Sequence, residues 1–306
     1  MKSEIMMVKT KWRKAKGLRY CVMKSQSAME YLMTYGWAIL IIAVVLGALF
    51  QLGVFNSMTF APKAPPGACQ VFRPNGPGTT SFINLEGICN GEIPQFVTQF
   101  SGSSSYVSVP NSAMLNPTNA LTYTAWVYIT TGGLNQIIID KNWGNAGGEQ
   151  ILVRTSEKVS VNAGTNGADA ESTSALPLNQ WVFVVGTASA NGVSVYFDSI
   201  NNGSTTTAPT LASNSLALGI GGGGGGSSAV FNGDLADIQI YNTSLSQAEI
   251  TALYDEGIGG APIRLQNLVG WWPLNGNAND YSGNNNNGNA ISVTYTTDWY
   301  SGYSVP

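Results

Sequence analysis

Two hydrophobic rhythms divide the chain. Between Tyr31 and Phe55 the run YLMTYGWAILIIAVVLGALFQLGVF carries no charge over 25 residues, and the next charged side chain is Lys63. As a helix this run would extend about 37 Å, enough to cross a hydrocarbon core of roughly 30 Å with some tilt. Thr34, Gly36, Gln51 and Gly53 are its few small or polar positions, and they do not form the polar stripe that a soluble helix turns toward water. A single membrane-spanning helix within residues 26–55 is therefore predicted.

From residue 96 the period changes from helical to alternating. Short runs rich in β-branched and aromatic residues recur between turn signals: FVTQF, SYVSV, LTYTAWVYI, QIIID, QILVR, KVSVNA, WVFVVGTA, GVSVYFD, LALGIG and ADIQIY. In GVSVYFD, Val193, Val195 and Phe197 fall on one face and Ser194, Tyr196 and Asp198 on the other. SANG at 189–192 has the character of a hairpin turn between two such runs. Only SLSQAEITALYDEG (244–257) reads as a helix. Ser246 is placed to cap it with Glu249 three residues on, Ile250, Leu253 and Tyr254 share a face, and Gly257 ends it. The pattern is that of an all-β sandwich.

Composition sharpens the division. The intervening residues 56–95 contain FAPKAPPG and RPNGPG, which read as a stiff stalk rather than a core. Charged residues are only 10% of the chain, and histidine is absent, which excludes imidazole catalysis and imidazole metal ligation. The net charge of −3 hides a separation: residues 1–25 hold eight Lys or Arg against Glu4 alone, a net +7, so the remainder carries −10. By the positive-inside rule the basic segment stays in the cytoplasm and the acidic body lies outside, giving a single-pass protein of the cell membrane. An acidic body repels phosphate backbones, so nucleic acid is not an expected partner.

Glu30 does not suit a plain anchor, because a carboxylate at the lip of an apolar run needs a partner. The stretch KSQSAMEYLMTYGWAIL (24–40) resembles the class III signal peptide of archaeal type IV pilin-like proteins. The resemblance implies that a prepilin-type signal peptidase cuts between Ser25 and Gln26 and that the helix stays on the mature chain. It also implies that Glu30 pairs with the new α-amino group of a neighbouring subunit, a route to self-assembly. Ser25 stands where such proteins often have Gly, and Met23 is a second candidate start. The alternative is an uncleaved signal anchor. Cleavage would remove Cys21 and leave Cys69 and Cys89 as an even pair in the exported part. A disulfide between them would close a loop of about 20 residues and contribute on the order of 3 kcal/mol, the alternative being two buried thiols.

The order of the later pieces resembles the laminin-G-like jelly roll of the concanavalin A-like superfamily. Three stretches carry the likeness: FSGSSSYVSVP (100–110) followed by LTYTAWVYI, QWVFVVGTASANGVSVYFD (180–198), and FNGDLADIQIYNTSLSQAEITALYDEG (231–257). The resemblance implies two curved antiparallel sheets over residues 96–258, with any ligand or calcium at rim loops or on the concave face. LVGWWPLNGNANDYSGNNNNGNA (268–290) resembles the opening of a further jelly roll, but only 16 residues follow. Segment 259–306 is therefore expected to pack on the first sandwich, since Trp271 and Trp272 would otherwise be exposed; pairing with another subunit is the alternative.

Candidate chemistry is sparse. The Glu-x-Asp-x-x-Glu strand of the superfamily's glucanases is missing, and Glu149 and Glu157 stand alone, so no catalytic pair can be nominated. Calcium, an oxygen-seeking cation, has two candidate loops: Asp234 with Asp237, and Asp280 with Asn284 and Asn286. Strand alternation would turn Asp234 and Asp237 to opposite sides, and Ala236 occupies a position often acidic in the resembling family. The favoured reading of the Asn/Gly loops is as turns that accept positive φ. Trp143, with Asn142 and Asn145, is the candidate glycan contact, a ring to stack on a sugar face beside amides for its hydroxyls, or else a loop Trp packed on its own sandwich. Asn202 and Asn242 begin glycosylation sequons. The leading expectation is a membrane-anchored surface protein that displays a recognition domain for a glycan or a protein. The alternative is a structural subunit of a filament or cell-envelope assembly, and a carbohydrate-active enzyme is the third reading.

Overall fold

In the computed structural model the described residues are 33, 35–47, 70–74, 80–84, 94–141, 148–223, 228–304 and 306, with backbone alone for 70–74 and 80–84. The chain divides into two units, Met1–Lys63 and Ala64–Pro306. In the first unit residue 33 and residues 35–47 are helical (α1) and their side chains are exposed. Among the described residues no helix is long and apolar enough to cross a membrane. Ser25, Gln26, Glu30 and both ends of the charge-free run lie outside the described residues, as do Cys69 and Cys89.

The second unit opens with a two-stranded antiparallel sheet, β1 (Gln70–Pro74) and β2 (Thr80–Asn84). The Pro/Gly segment read as a stalk thus contains a hairpin. Its two β-forming runs flank the turn-rich NGPG, and turn residues join strands as readily as they interrupt them.

Two larger antiparallel sheets follow. One contains β3 (Val97–Ser101), β5 (Leu121–Ile129), β10 (Trp181–Ser189), β11 (Gly192–Phe197), β12 (Ile200–Thr205), β14 (Asn232–Tyr241), β15 (Leu268–Trp272) and β17 (Thr294–Thr296). Its order is β12-β11-β10-β5-β14-β3-β17, with β15 beside β3 on the same edge of β14. The other contains β4 (Tyr106–Val109), β6 (Gln136–Lys141), β7 (Glu149–Val153), β8 (Lys158–Ala163), β9 (Ala168–Ala175), β13 (Leu218–Ile220) and β16 (Asn289–Ile291). It is ordered β16-β4-β13-β6-β7-β8-β9. Strands drawn from residues 268–296 therefore join both sheets, and Trp271 and Trp272 are buried.

Period-two alternation explains both layers. In β5, Leu121, Tyr123, Ala125, Val127 and Ile129 enter the core between the sheets, where they meet Ile139, Ile151, Val161, Val184 and Val195. The alternate residues of β5 and β10, Trp126, Trp181, Phe183 and Val185, face outward into a second cluster. Helix α2 (Gln247–Glu256) and the C-terminal segment cover that outward face through Ile250, Leu253 and Trp299. The helix starts where the sequence places it: the Ser246 N–H donates to the Glu249 carboxylate at 2.8 Å, completing a capping box, and Gly257 ends it at φ +82°. Gly186 lets the two sheets approach, because a Cβ there would lie 2.8 Å from Val161.

One irregularity changes the sequence reading. Between Ala236 and Gln239 the register of β14 against β5 shifts, and Asp237 sits at φ +48°. This bulge resets the alternation, so Asp237 joins the outward cluster through Trp271 and Gln239 instead of pointing away from Asp234's side.

Candidate functional site

Each sequence-derived candidate has a definite place or lies outside the described residues. Asn142, Trp143 and Asn145 lie outside. The strand ends that flank them are described: Lys141 and Glu149 are cross-strand neighbours, and both are buried. The Lys141 ammonium donates to Asn111 Oδ1 at 2.8 Å, to Asn214 Oδ1 at 3.0 Å and to the Leu216 carbonyl. Three oxygens for three protons satisfy the cation, and desolvation holds its pKa below the usual lysine value. Burial raises Glu149 to about 7, against the opposing pull of backbone N–H groups and Lys141.

The Asp280 loop does not fit a cation. Asp280 Oδ1 accepts the N–H groups of Trp271 (2.9 Å) and Ser282 (2.8 Å), and Oδ2 accepts that of Asn286 (2.8 Å). Backbone donors therefore occupy the directions a metal would need. Asn284 and Asn286 turn their Nδ2 groups to the Val269 carbonyl, at 3.0 and 2.9 Å. The loop is a set of Asx turns stapled to β15, which is the turn reading of its Asn/Gly composition. Asp237 accepts Trp271 Nε1 at 2.7 Å and Gln239 Nε2 at 2.8 Å, and burial raises its pKa to about 7. Asp234 is raised to about 6 by burial, opposed by a hydrogen bond with Gln99, and one of its oxygens lacks a partner. Among the described residues no group of three or more Asp, Glu, His or Cys could hold a metal.

The two sequons differ. Asn202, in edge strand β12, spends its amide on Thr173 and Ser174. Asn242 is exposed on the turn before α2, where its Oδ1 accepts Asn267 Nδ2.

Among the described residues, a cavity that combines rings with polar groups lies on the outward face of the β5/β10 sheet. It encloses about 490 Å³ and is lined by Trp126, Gln180, Trp181, Asp198, Tyr254, Gly302, Tyr303 and Ser304. Strand alternation supplies Trp126 and Trp181, Gln180 immediately precedes β10, α2 supplies Tyr254, the β11–β12 turn supplies Asp198, and the C-terminal segment supplies Gly302, Tyr303 and Ser304. The rings brace one another. Tyr254 stacks on Trp126 with centroids 5.8 Å apart, and Tyr303 meets Trp126 edge-on at 5.6 Å. The C-terminal wall is fixed at Trp181, whose backbone N–H donates to the Gly302 carbonyl and whose indole donates to the Trp299 carbonyl, each at 2.9 Å.

Asp198 is held by two bonds to Phe183: its own N–H donates to the Phe183 carbonyl, and its Oδ1 accepts the Phe183 N–H, both at 2.9 Å. Burial raises its pKa, and the Phe183 N–H partly offsets that rise. The buried indole N–H groups of Trp126 and Trp299 have no acceptor among the described residues. Half-buried tyrosines, a carboxylate and the exposed amide of Gln180 thus surround a space of ligand size. A smaller cavity of about 200 Å³, near Gln99, Thr130, Asn232 and Thr294, has only Phe100 as an aromatic wall.

The sequence reading did not single out this site. Tyr254 was legible as a helix-face residue and Asp198 as the outward residue of a hairpin, but their convergence with Tyr303 is a product of tertiary folding.

Residues 101–251 match the family described as the concanavalin A-like lectin/glucanases superfamily. A solved structure of a candidate carbohydrate binding protein from Bacteroides ovatus is 15% identical, with a TM-score of 0.55; the likeness covers 72% of this chain and 64% of that one. The chain thus spans less than two thirds of that protein's length. A heptameric SAP-like pentraxin from Limulus polyphemus is 15% identical over 67% of this chain and 95% of its own, with a TM-score of 0.48. A Ruminococcus gnavus sialidase module bound to α2,3 sialyllactose is 12% identical over 53% of this chain and 100% of its own, at 0.42. No curated protein matches the chain. Residues 101–251 are thus similar to that superfamily, and the two antiparallel sheets have the fold of a jelly-roll sandwich.

Proposed function

We propose that this protein is a membrane-tethered surface protein whose jelly roll binds a glycan in the cavity between α2, the β11–β12 turn and the C-terminal segment. The observation that carries the reading is the cavity of about 490 Å³, where tyrosine rings stand beside the Asp198 carboxylate and the Gln180 amide. Rings cover the apolar face of a sugar, and carboxylate and amide groups bond its hydroxyls. The Bacteroides ovatus protein of similar fold is described as a candidate for the same ligand class, and that similarity supports the reading at the level of fold.

The tether is the helix within residues 26–55, freed between Ser25 and Gln26 by a prepilin-type peptidase, with Glu30 available to a neighbouring helix. The acidic body stands outside the cell, where Cys69 and Cys89 form a disulfide. The domain acts by recognition, with no catalytic step.

Glycan-microarray binding by the full chain, compared with Tyr254→Ala and Tyr303→Ala, tests the cavity. Both tyrosines are only half-buried, so the variants are expected to keep a cooperative melt while losing about tenfold or more in glycan affinity. Unchanged binding in both would move the site elsewhere. Mass spectrometry of the mature N-terminus from native membranes tests the tether: a chain that begins at Gln26 is expected, and an intact leader overturns that part.

A further inference from the structure

The charge inventory of the jelly roll bears on which glycan it accepts. Among the described residues the cavity wall contains one carboxylate, Asp198, and no cation. Among the described side chains the cations of the body are engaged elsewhere. Arg154 pairs with Asp169 at 2.7 Å and with Glu171 at 3.2 Å, Lys158 with Glu171 at 3.4 Å, and Arg264 with Glu249 at 2.6 Å. Lys141 is buried under its three oxygen acceptors. Among the described side chains no guanidinium or ammonium is at hand to compensate a carboxylate, sulfate or phosphate on a ligand, and the surrounding body is strongly acidic.

The carboxylate is also kept in place at a cost. Asp198 and Ser199 both adopt left-handed conformations, φ +45° and +64°, in the turn between β11 and β12, a geometry that glycine or asparagine meets more easily. The paired bonds to Phe183 fix the side chain's orientation, and one carboxylate oxygen takes no part in them.

Resting on the proposal that this cavity holds a glycan, we infer that it selects uncharged glycans and rejects anionic ones, with Asp198 as the residue that discriminates. A neutral sugar offers hydroxyl donors to the carboxylate. A sialic acid, uronate or sulfated sugar would bring a second negative charge beside it with no cation between them, and like charges brought together in a recognition site suppress the wrong partner. The burial-raised pKa of Asp198 agrees, since the site solvates negative charge poorly even before a ligand arrives.

The test is an array of matched neutral and anionic glycans, probed with the full chain and with Asp198→Asn at neutral pH and physiological salt. The asparagine oxygen can still accept the Phe183 N–H, so the fold is retained and only the charge is lost. The wild type is expected to favour neutral glycans by about tenfold or more, and the variant to lose most of that preference through gained anionic binding. Anionic glycans bound by the wild type as well as neutral ones would overturn the inference and leave the glycan reading standing. Discrimination unchanged in Asp198→Asn would remove Asp198 from the role. Absence of binding to every glycan would defeat the glycan reading itself, and the inference with it.

Discussion

The two faces of the β5/β10 sheet are built on opposite principles. The inner face is a nearly continuous aliphatic surface closed by the second sheet, with Val127, Val184 and Val195 fully buried. The outer face is covered by a short helix and a C-terminal segment, through Trp126, Trp181, Trp271 and Trp299 together with Asp237 and Gln239. Interdigitated aliphatics leave no room for a ligand. Large rings joined edge to face around polar groups leave gaps, and the cavity beside Asp198 is one of them. Stability and recognition are thus divided between the faces of one sheet.

The largest break in that comparison comes from the inner side. Trp272 is fully buried in the inner core, its indole donating to the Asn286 carbonyl at 2.9 Å. Trp272→Ala is expected to cost about 4 kcal/mol, read as a drop in urea midpoint at constant slope. A loss under about 1 kcal/mol would mean that the inner core tolerates voids as the outer face does.

A second effect comes from the buried carboxyls. Asp237 and Glu149 are raised to about 7 and Asp234 to about 6, in each case chiefly by burial. A raised folded pKa means that the folded state binds the proton more tightly. The stabilisation is complete below the unfolded value of about 4 and is lost as pH climbs through the folded values. The domain is therefore expected to be more stable at pH 5 than at pH 8, by about 2 kcal/mol or more. Asp237→Asn should flatten part of that slope. Urea melts at the two pH values would contradict this if the midpoint rose toward pH 8. Glu249, whose pKa is lowered by its bonds to Ser246, acts in the opposite sense: its stabilisation is full above the unfolded value and is lost as pH falls from there through the lowered folded value.

The smallest expected effect concerns the cover of the outer face. Ser246→Ala removes the hydroxyl of the capping box of α2 and is expected to cost about 1 kcal/mol. Local hydrogen exchange in residues 247–256 should rise while the inner strands stay protected. Equal acceleration in β5 would show that the two faces unfold as one unit and erase the distinction between them.

Strands and helix caps were legible because their signals are local. Alternation in GVSVYFD separates Val193, Val195 and Phe197 from Tyr196, and that pattern survives in the inner and outer clusters. SANG joins β10 to β11 at Gly192, and Ser246, Glu249 and Gly257 bound α2. The bulge at Asp237 was not legible, since one inserted residue reverses the predicted side without a distinctive residue to mark it. The acidic and Asn-rich calcium candidates looked like oxygen ligands because composition does not show that side-chain N–H groups will claim Asp237 and backbone N–H groups Asp280. The candidate cavity was invisible for a related reason: Trp126, Tyr254 and Tyr303 are spread over more than half of the sandwich sequence.

By itself the sequence determined the β-sandwich, the position and limits of its one capped helix, the absence of imidazole chemistry and the opposed charges of the two ends. These follow from period, turn chemistry and composition, which act over a few residues or over the whole chain. Only the tertiary structure decided that residues 268–296 complete both sheets, that Asp237 and Asp280 are spent on internal hydrogen bonds, and that tyrosines from a helix and a C-terminal segment meet Asp198 at one cavity. Those outcomes depend on contacts between positions far apart in the chain, and no local pattern encodes which distant groups will share a surface.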